Sequence, residues 1–286
     1  MNTLITIPAR VRHASTFTLP RLQQLWIEAV ADSPLEADVD PHGVWAWSSM
    51  HDIDLDRSVV LESETGEFIG LSLFGVRGAR GWIGAFGVAP RYRRVGYGAM
   101  LLDAQMLVAR ESGLGSVQVE VLIYNWAAKL FEQIGFTTSR VVVDLGGVIN
   151  KRRASAAVTQ RNPELLVGEI QSLRCGRTWP WRREMQTICR TLTRRSHGLT
   201  VDVDGRCSAA LICELEGSDE LRILDIAGRR DCVGTLLAAA GEMFPGRQVT
   251  LLAEPQDSEL QPVLAEHGLS PFAIRRELVL HCDLPL

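Results

Sequence analysis

Val88-Ala89-Pro90-Arg91-Tyr92-Arg93-Arg94-Val95-Gly96-Tyr97-Gly98 breaks an otherwise regular run of apolar patterns. It follows WIGAFGV, which reads as a strand, and leads into AMLLDAQMLVARESG. In that segment Leu101, Ala104 and Val108 share one helical face, and Gly113 closes the helix. A turn with two glycines at a strand-to-helix junction lets backbone N–H groups come close to a ligand, with the helix N-terminus behind them. Arg93 and Arg94 add positive charge, so the stretch reads as an anion cradle into which a pyrophosphate fits. No Gly-Lys-Ser/Thr follows, which excludes a Walker A loop. The G-x-G-x-x-G spacing is absent and the preceding segments read as antiparallel hairpins, which excludes a dinucleotide-binding fingerprint.

The flanking sequence reads as a mixed α/β unit. After Thr18, LPRLQQLWIEAVA has helical spacing through Leu22, Leu25, Trp26 and Val30. A polar stretch rich in acids and turn formers runs from about Asp32 to Asp56. SVVLES and EFIGLSLFGV then read as strands joined at Glu64-Thr65-Gly66, and RGARG turns into WIGAFGV. Beyond the helix, SVQVEVLI alternates as a strand, WAAKLFEQIG is a short helix ending in glycine, and FTTSRVVVDL is a further strand.

The second half repeats this order. After PELLVGEIQSL and WRREMQTICRTL come three strand-like runs, GLTVDVDG, RCSAALICELEG and ELRILDIAG. The helix VGTLLAAAGEMF, the strand QVTLLAE, the helix DSELQPVLAEHG and the strand IRRELVLHC follow. Each second helix ends in glycine, Gly135 and Gly268, so one domain is expected to have been duplicated. The polar, basic stretch after Gly146 suits a linker. The expected organisation is a first domain over 1–147, a linker over 148–162 and a second domain over 163–286.

Composition narrows the function. The chain has 286 residues, 46% hydrophobic and 22% charged, with a net charge of −4. That is a globular balance with no global reason to bind nucleic acid, and Lys151-Arg152-Arg153 reads as a solvated linker cluster. No apolar run reaches a membrane-spanning length and MNTLITIPARVRHAS has no signal-peptide core, so a cytoplasmic location without membrane association is expected. All six cysteines (Cys175, Cys189, Cys207, Cys213, Cys232, Cys282) lie in the second half, with no C-x-x-C pair. Reduced structural thiols, and no metal, are expected.

Around the cradle the chain resembles the GNAT acetyltransferase superfamily. That family's acetyl-CoA loop has the form R/Q-x-x-G-x-G/A after a strand ending V-x-P, which Val88-Ala89-Pro90 and Arg93 to Gly98 match without gaps. Asn125 through Leu130-Phe131 to Gly135-Phe136 resembles the second signature, though one residue short between Asn125 and Phe131. The resemblance implies a fold of two tandem GNAT-like domains, each a mostly antiparallel mixed α/β sheet flanked by helices. It implies acetyl-CoA as co-substrate and transfer of acetyl to a primary amine by direct attack. Phe86, Gly87 and Val88 would bind the pantetheine arm, with the Val88 amide polarising the thioester carbonyl. The stretch Arg93, Arg94, Val95, Gly96, Tyr97, Gly98 and Ala99 would hold the pyrophosphate, the amides from Arg94 to Ala99 carrying it. Asn125 would bond the pantetheine, or cap a helix, or do both.

Glu120 occupies the position of the family's general base, but on an alternating strand it could equally face solvent. Phe131, also placed at the cofactor, stands where the family has its tyrosine acid, and Tyr124 is the remaining substitute. In the acidic stretch, Asp32, Glu36, Asp38, Asp40, Asp52, Asp54 and Asp56 with Trp45 and Trp47 read as a solvated loop with both tryptophans packed inward, or as a cationic-amine site. His42 and His51 are expected in surface or capping roles, and bland roles are expected for His267 and His281. Ala227 to Thr235 aligns with the cradle but lacks one glycine and carries Asp231. The second domain is therefore expected to cover, dimerise with or shape the acceptor site, for a small-molecule or peptide amine. The competing expectation is a CoA- or acyl-CoA-binding regulatory module with little turnover.

Overall fold

A computed structural model describes residues 8–31, 43–150, 153–174 and 176–282. Asp32, Glu36, Asp38, Asp40, His42, Lys151, Arg152 and Cys175 lie outside the described residues. The chain divides into two compact units, one running to Ser139 and taking up again from Glu277, the other Arg140–Arg276.

The first unit contains β1 (Ala9–His13), α1 (Leu19–Val30), α2 (Gly43–His51), β2 (Val59–Ser63), β3 (Phe68–Arg77), β4 (Arg80–Val88), α3 (Tyr97–Glu111), β5 (Ser116–Leu122) and α4 (Ala127–Gln133). Its strands lie in the order β1-β2-β3-β4-β5, antiparallel except for the parallel pair β4/β5. Alternation on the strands sorts side chains into two layers. Val117, Val119 and Val121 of β5 and Ile83 of β4 join Leu102 and Met106 of α3 and Phe131 of α4 in one core. On the opposite face the Trp82 ring lies 5.8 Å from Trp47 of α2, which in turn lies 4.5 Å from Trp26 of α1. Each such side chain contributes roughly 1.5–3 kcal/mol by leaving water.

Two elements here were not legible in the pattern: β1, and α2 inside the acidic stretch. Trp47 packs inward as expected, but Trp45 is exposed. His51 is buried between Trp47 and Trp82 rather than at the surface. Asp52 pairs with Arg77, and Asp54 with Arg57.

The chain then enters β6 (Thr137–Val148), and passes from the first unit to the second within that strand. The second unit continues with β7 (Thr159–Arg161), α5 (Pro163–Leu173), a 3-10 turn at Trp181–Arg183, α6 (Met185–Thr191), β8 (Ser196–Val203), β9 (Arg206–Glu216), β10 (Glu220–Gly228), α7 (Arg230–Met243), β11 (Gln248–Pro255) and α8 (Gln261–Glu266). Its strand order is β6-β11-β10-β9-β8-β7, again antiparallel except for β10/β11. Leu211 of β9 faces the core of α7 and α8, and its neighbour Ile212 faces that of α5 and α6. Asn162 starts α5 by accepting the Glu164 N–H at 3.0 Å, with Pro163 in the first helical position.

The last strand, β12 (Leu269–His281), begins in the second unit and from Glu277 onward belongs to the first. There Leu278 is fully buried in the core with Phe131 and Phe136, Ser139 Oγ donates to Glu277 Oε1 at 2.7 Å, and the Cys282 N–H donates to Gly115 O at 2.9 Å. The crossing therefore lies inside a strand, upstream of the segment expected as a linker. Part of that segment pairs as β7 with β8. Strand periodicity reveals an alternating face but not which partner the strand will have.

The expected repeat is present in detail. In both units three strands are followed by helix, strand, helix and strand. β4 and β10 each carry a register shift against the preceding strand, just after Ile83 and just after Ile223. Each pairs in parallel with its next strand only up to that point, Arg80–Ile83 against Ser116–Val119 and Glu220–Ile223 against Gln248–Leu251.

Candidate functional site

The bulge at Gly84 re-aims the second half of β4, so that β4 and β5 part beyond Ile83 and Val119. In the β3/β4 ladder Gly70 lies opposite Val88, and the Ala89 N–H donates to Ile69 O at 2.9 Å. Polar groups alternate sides along an antiparallel strand, so the amides of Phe86 and Val88 face away from β3, towards the gap that β5 leaves. Gly87 points its polar groups at β3 instead. Its contribution is space: a Cβ there would stand 2.5 Å from Ala29 O, so only glycine lets the end of α1 reach β4.

The loop after β4 is held from inside. Arg93 Nε donates to Val88 O at 2.8 Å, and its Nη2 donates to Ala31 O at 2.6 Å and Ala29 O at 3.5 Å. The Arg93 guanidinium thus ties the C-terminal carbonyls of α1 to the end of β4. Tyr97 is buried with its ring 5.8 Å from that of Tyr92. What the loop presents outward is backbone, Arg94, and Arg91, which pairs with Glu28 at 3.6 Å. Arg94 (φ 64°) and Gly96 (φ 96°) are both left-handed, and Gly96 caps α3. Val95 and Gly98 are half-buried and Ala99 is exposed. The first-turn amides of α3 have no carbonyl a turn behind them, and no atom lies within 4 Å of where a Gly96 Cβ would stand. An anion fits there.

Tyr92 OH donates to Glu67 Oε2 at 2.6 Å, and this bond raises the phenol pKa above its usual 10.0. The folded chain therefore holds that proton more tightly than the unfolded one, and the resulting stability is present below pH 10 and lost as pH rises through the raised value. Tyr92→Phe is expected to cost about 1–2 kcal/mol at neutral pH. That difference from the parent should shrink in thermal melts taken upward from pH 10. A difference that does not change with pH would mean that the bond is not made.

Asn125 is exposed, and its Oδ1 accepts the Ala127 N–H at 2.9 Å at the start of α4. The oxygen thus braces the turn into α4, whose N-cap position is Trp126 rather than Asn125, and the side-chain amide nitrogen remains for a ligand. Phe131 is 1% exposed, with its ring 5.4 Å from both Phe86 and Phe136. Tyr124 is 93% exposed. Glu120 points from β5 to the face opposite Val119 and Val121, and both its carboxylate oxygens are shielded from solvent. Among the described residues no group of His, Cys, Asp and Glu is disposed to hold a metal, and no helix is long and apolar enough to cross a membrane.

A mixed sheet whose one parallel pair parts halfway, with a cradle and helix following the first of those strands, is the GNAT fold. Residues 21–136 match the acetyltransferase (GNAT) family, and the second unit repeats the element order of the first. Among solved structures the chain is similar to a candidate acetyltransferase of Pyrococcus horikoshii, with 13% identity and a TM-score of 0.66 over 99% of this chain and 93% of that one. A GCN5-related N-acetyltransferase of Sphaerobacter thermophilus gives 15% identity and a TM-score of 0.65 over 96% and 97%. A tandem GNAT protein from the clavulanic acid biosynthesis pathway gives 15% and 0.55 over 78% and 82%. No curated protein matches the chain in sequence. Acetyl transfer from an acyl-CoA is the general chemistry of the family.

Proposed function

We propose that the first unit is an N-acetyltransferase that moves acetyl from acetyl-CoA to a primary amine, on a small molecule or a peptide, by direct attack. The observation that carries this reading is the parting of β4 and β5 with the Phe86 and Val88 amides turned into the gap. When bound, acetyl-CoA supplies an activated acetyl thioester and a thiol leaving group. The Phe86 amide orients the pantetheine arm, and the Val88 N–H donates to the carbonyl oxygen as negative charge develops there. The loop amides from Arg94 to Ala99 hold the pyrophosphate, and the Asn125 amide steadies the arm. Glu120 accepts the proton that an ammonium of pKa ~10.4 must lose before its nitrogen can attack, directly or through water. With a thiol pKa near ~8.5 the departing sulfur needs little help, and in this reading Tyr124 returns the proton.

A second reading, a CoA- or acyl-CoA-binding regulatory module with weak turnover, is favoured by one observation. The position where the family has a proton donor is Phe131, sealed between Phe86 and Phe136. Thiol release from acetyl-CoA across a panel of amines, beside calorimetric titration of acetyl-CoA, separates the two. Turnover with an amine is the expected result. Tight binding without turnover on the whole panel selects the module, and no binding overturns both.

A further inference from the structure

The second unit repeats the parting of its parallel pair and then fills it. With the strands aligned on their register shifts, Asp225 stands where β4 has Ala85, Ile226 where it has Phe86, and Glu254 of β11 where β5 has Leu122. From the turn at Trp181–Arg183, Arg183 enters between the two strands and donates Nη1 to Glu254 Oε2 and Nη2 to Asp225 Oδ1. The same Nη2 donates to Ile226 O at 3.5 Å. Arg174 donates one nitrogen to Asp225 Oδ2 and the other to Arg183 O at 2.7 Å, and the Trp179 ring lies 3.9 Å and 4.7 Å from the Arg174 and Arg183 guanidiniums. Asp225 and Glu254 are fully buried, and Arg183 is 2% exposed.

We infer that the second unit has closed its own acyl-CoA groove with Arg183, so that the chain holds one acyl-CoA and holds it in the first unit. This rests on the reading proposed for the first unit. Two further features agree. The Ile226 N–H, counterpart of the Phe86 amide, is already taken by Asp225 Oδ1 at 2.8 Å. The cradle is missing altogether: only Arg229 separates β10 from α7, where residues 89–96 separate β4 from α3. The aligned Gly234 is not a loop residue but lies inside α7. A pantetheine arm could enter only by expelling Arg183, which would leave the buried Glu254 carboxylate without its partner and take one of two guanidiniums from Asp225.

The test is a titration of the full chain with acetyl-CoA, counting bound ligand by native mass spectrometry and locating it by hydrogen exchange. One equivalent is expected, with slowed exchange over residues 86–99 and no change over 225–235. A second equivalent, or protection over 225–235, overturns the inference. Gly98→Asp supplies the second arm. Its Cβ meets only Leu130 Cδ2, at an ordinary 3.4 Å, and an acid in the first turn suits the helix dipole, so the variant should fold. Its carboxylate repels a pyrophosphate at the cradle, and loss of all binding is expected. Binding that persists with protection over 225–235 would likewise overturn the inference. Absence of binding in the parent chain would sink the reading of the first unit while leaving the second closed, as inferred.

Discussion

Replacing Asp225 by Asn is expected to destabilise the second unit by about 3–5 kcal/mol, the usual cost of removing one partner from a buried ion pair. Asp225 accepts from Arg174, from Arg183 and from the Ile226 N–H, with no exposure to water. Asparagine keeps the shape but removes the charge, leaving two buried guanidiniums to face Glu254 alone. Burial lowers the Arg174 pKa to about 10 while Asp225 acts to raise it; a guanidinium is not deprotonated in proteins, so the imbalance in the variant is real at pH 7. Domains are stable by only ~5–15 kcal/mol, so the loss should be plain in chemical denaturation followed by the fluorescence of Trp179 and Trp181. A second variant that also replaces Arg174 by Met removes the imbalance, because Arg183 remains paired with Glu254, and should recover much of the loss. A single variant as stable as the parent would show that these charges do not depend on one another.

Replacing Glu120 by Gln is expected to lower kcat by about 10²- to 10⁴-fold at neutral pH, the range that a positioned base supplies. The acetyl-CoA dissociation constant should not move, because the cradle and the Phe86 and Val88 amides are untouched. A structural role for Glu120 could lower activity too, so the pH profile decides. Without the carboxylate the acceptor must arrive already deprotonated, and log(kcat/KM) should climb with pH towards the amine's own pKa near ~10.4. A variant whose profile merely shifts down in parallel with the parent would remove Glu120 from proton transfer.

Much of the architecture was legible because burial writes a period into the chain. The alternating SVQVEVL became β5 with its valines inward, and Leu22, Leu25 and Trp26 marked the buried face of α1. The helix Gly43–His51 escaped because its buried face, Val44, Trp47, Ser48 and His51, is half polar, with an exposed tryptophan at 45. Of the site, the cradle was legible from its glycines. The parting of β4 from β5 was not, since it follows from a bulge at Gly84, a matter of register between strands. Arg93 looked like charge for a phosphate, yet its guanidinium is satisfied by three carbonyls, two of them on the α1 side more than sixty residues earlier. The groove in the second unit was equally hidden. Asp225 is one carboxylate within an apolar strand, and nothing local announces that Arg183 will meet it from 42 positions away.

The return of the chain into its first unit also sets a timetable for synthesis. A domain at the start of a polypeptide ordinarily completes its folding while the remainder is still being made. Here the core around Phe131 and Phe136 lacks Leu278 until the ribosome has passed through the whole second unit. The unit that begins first is therefore finished last. A nascent chain halted anywhere between residues 140 and 276 would carry the cradle, with α1 and α3 beside it, on a half-filled core, with the edge of β5 uncovered. A premature stop late in the message would then silence the early domain, and the damage would appear far in sequence from its cause.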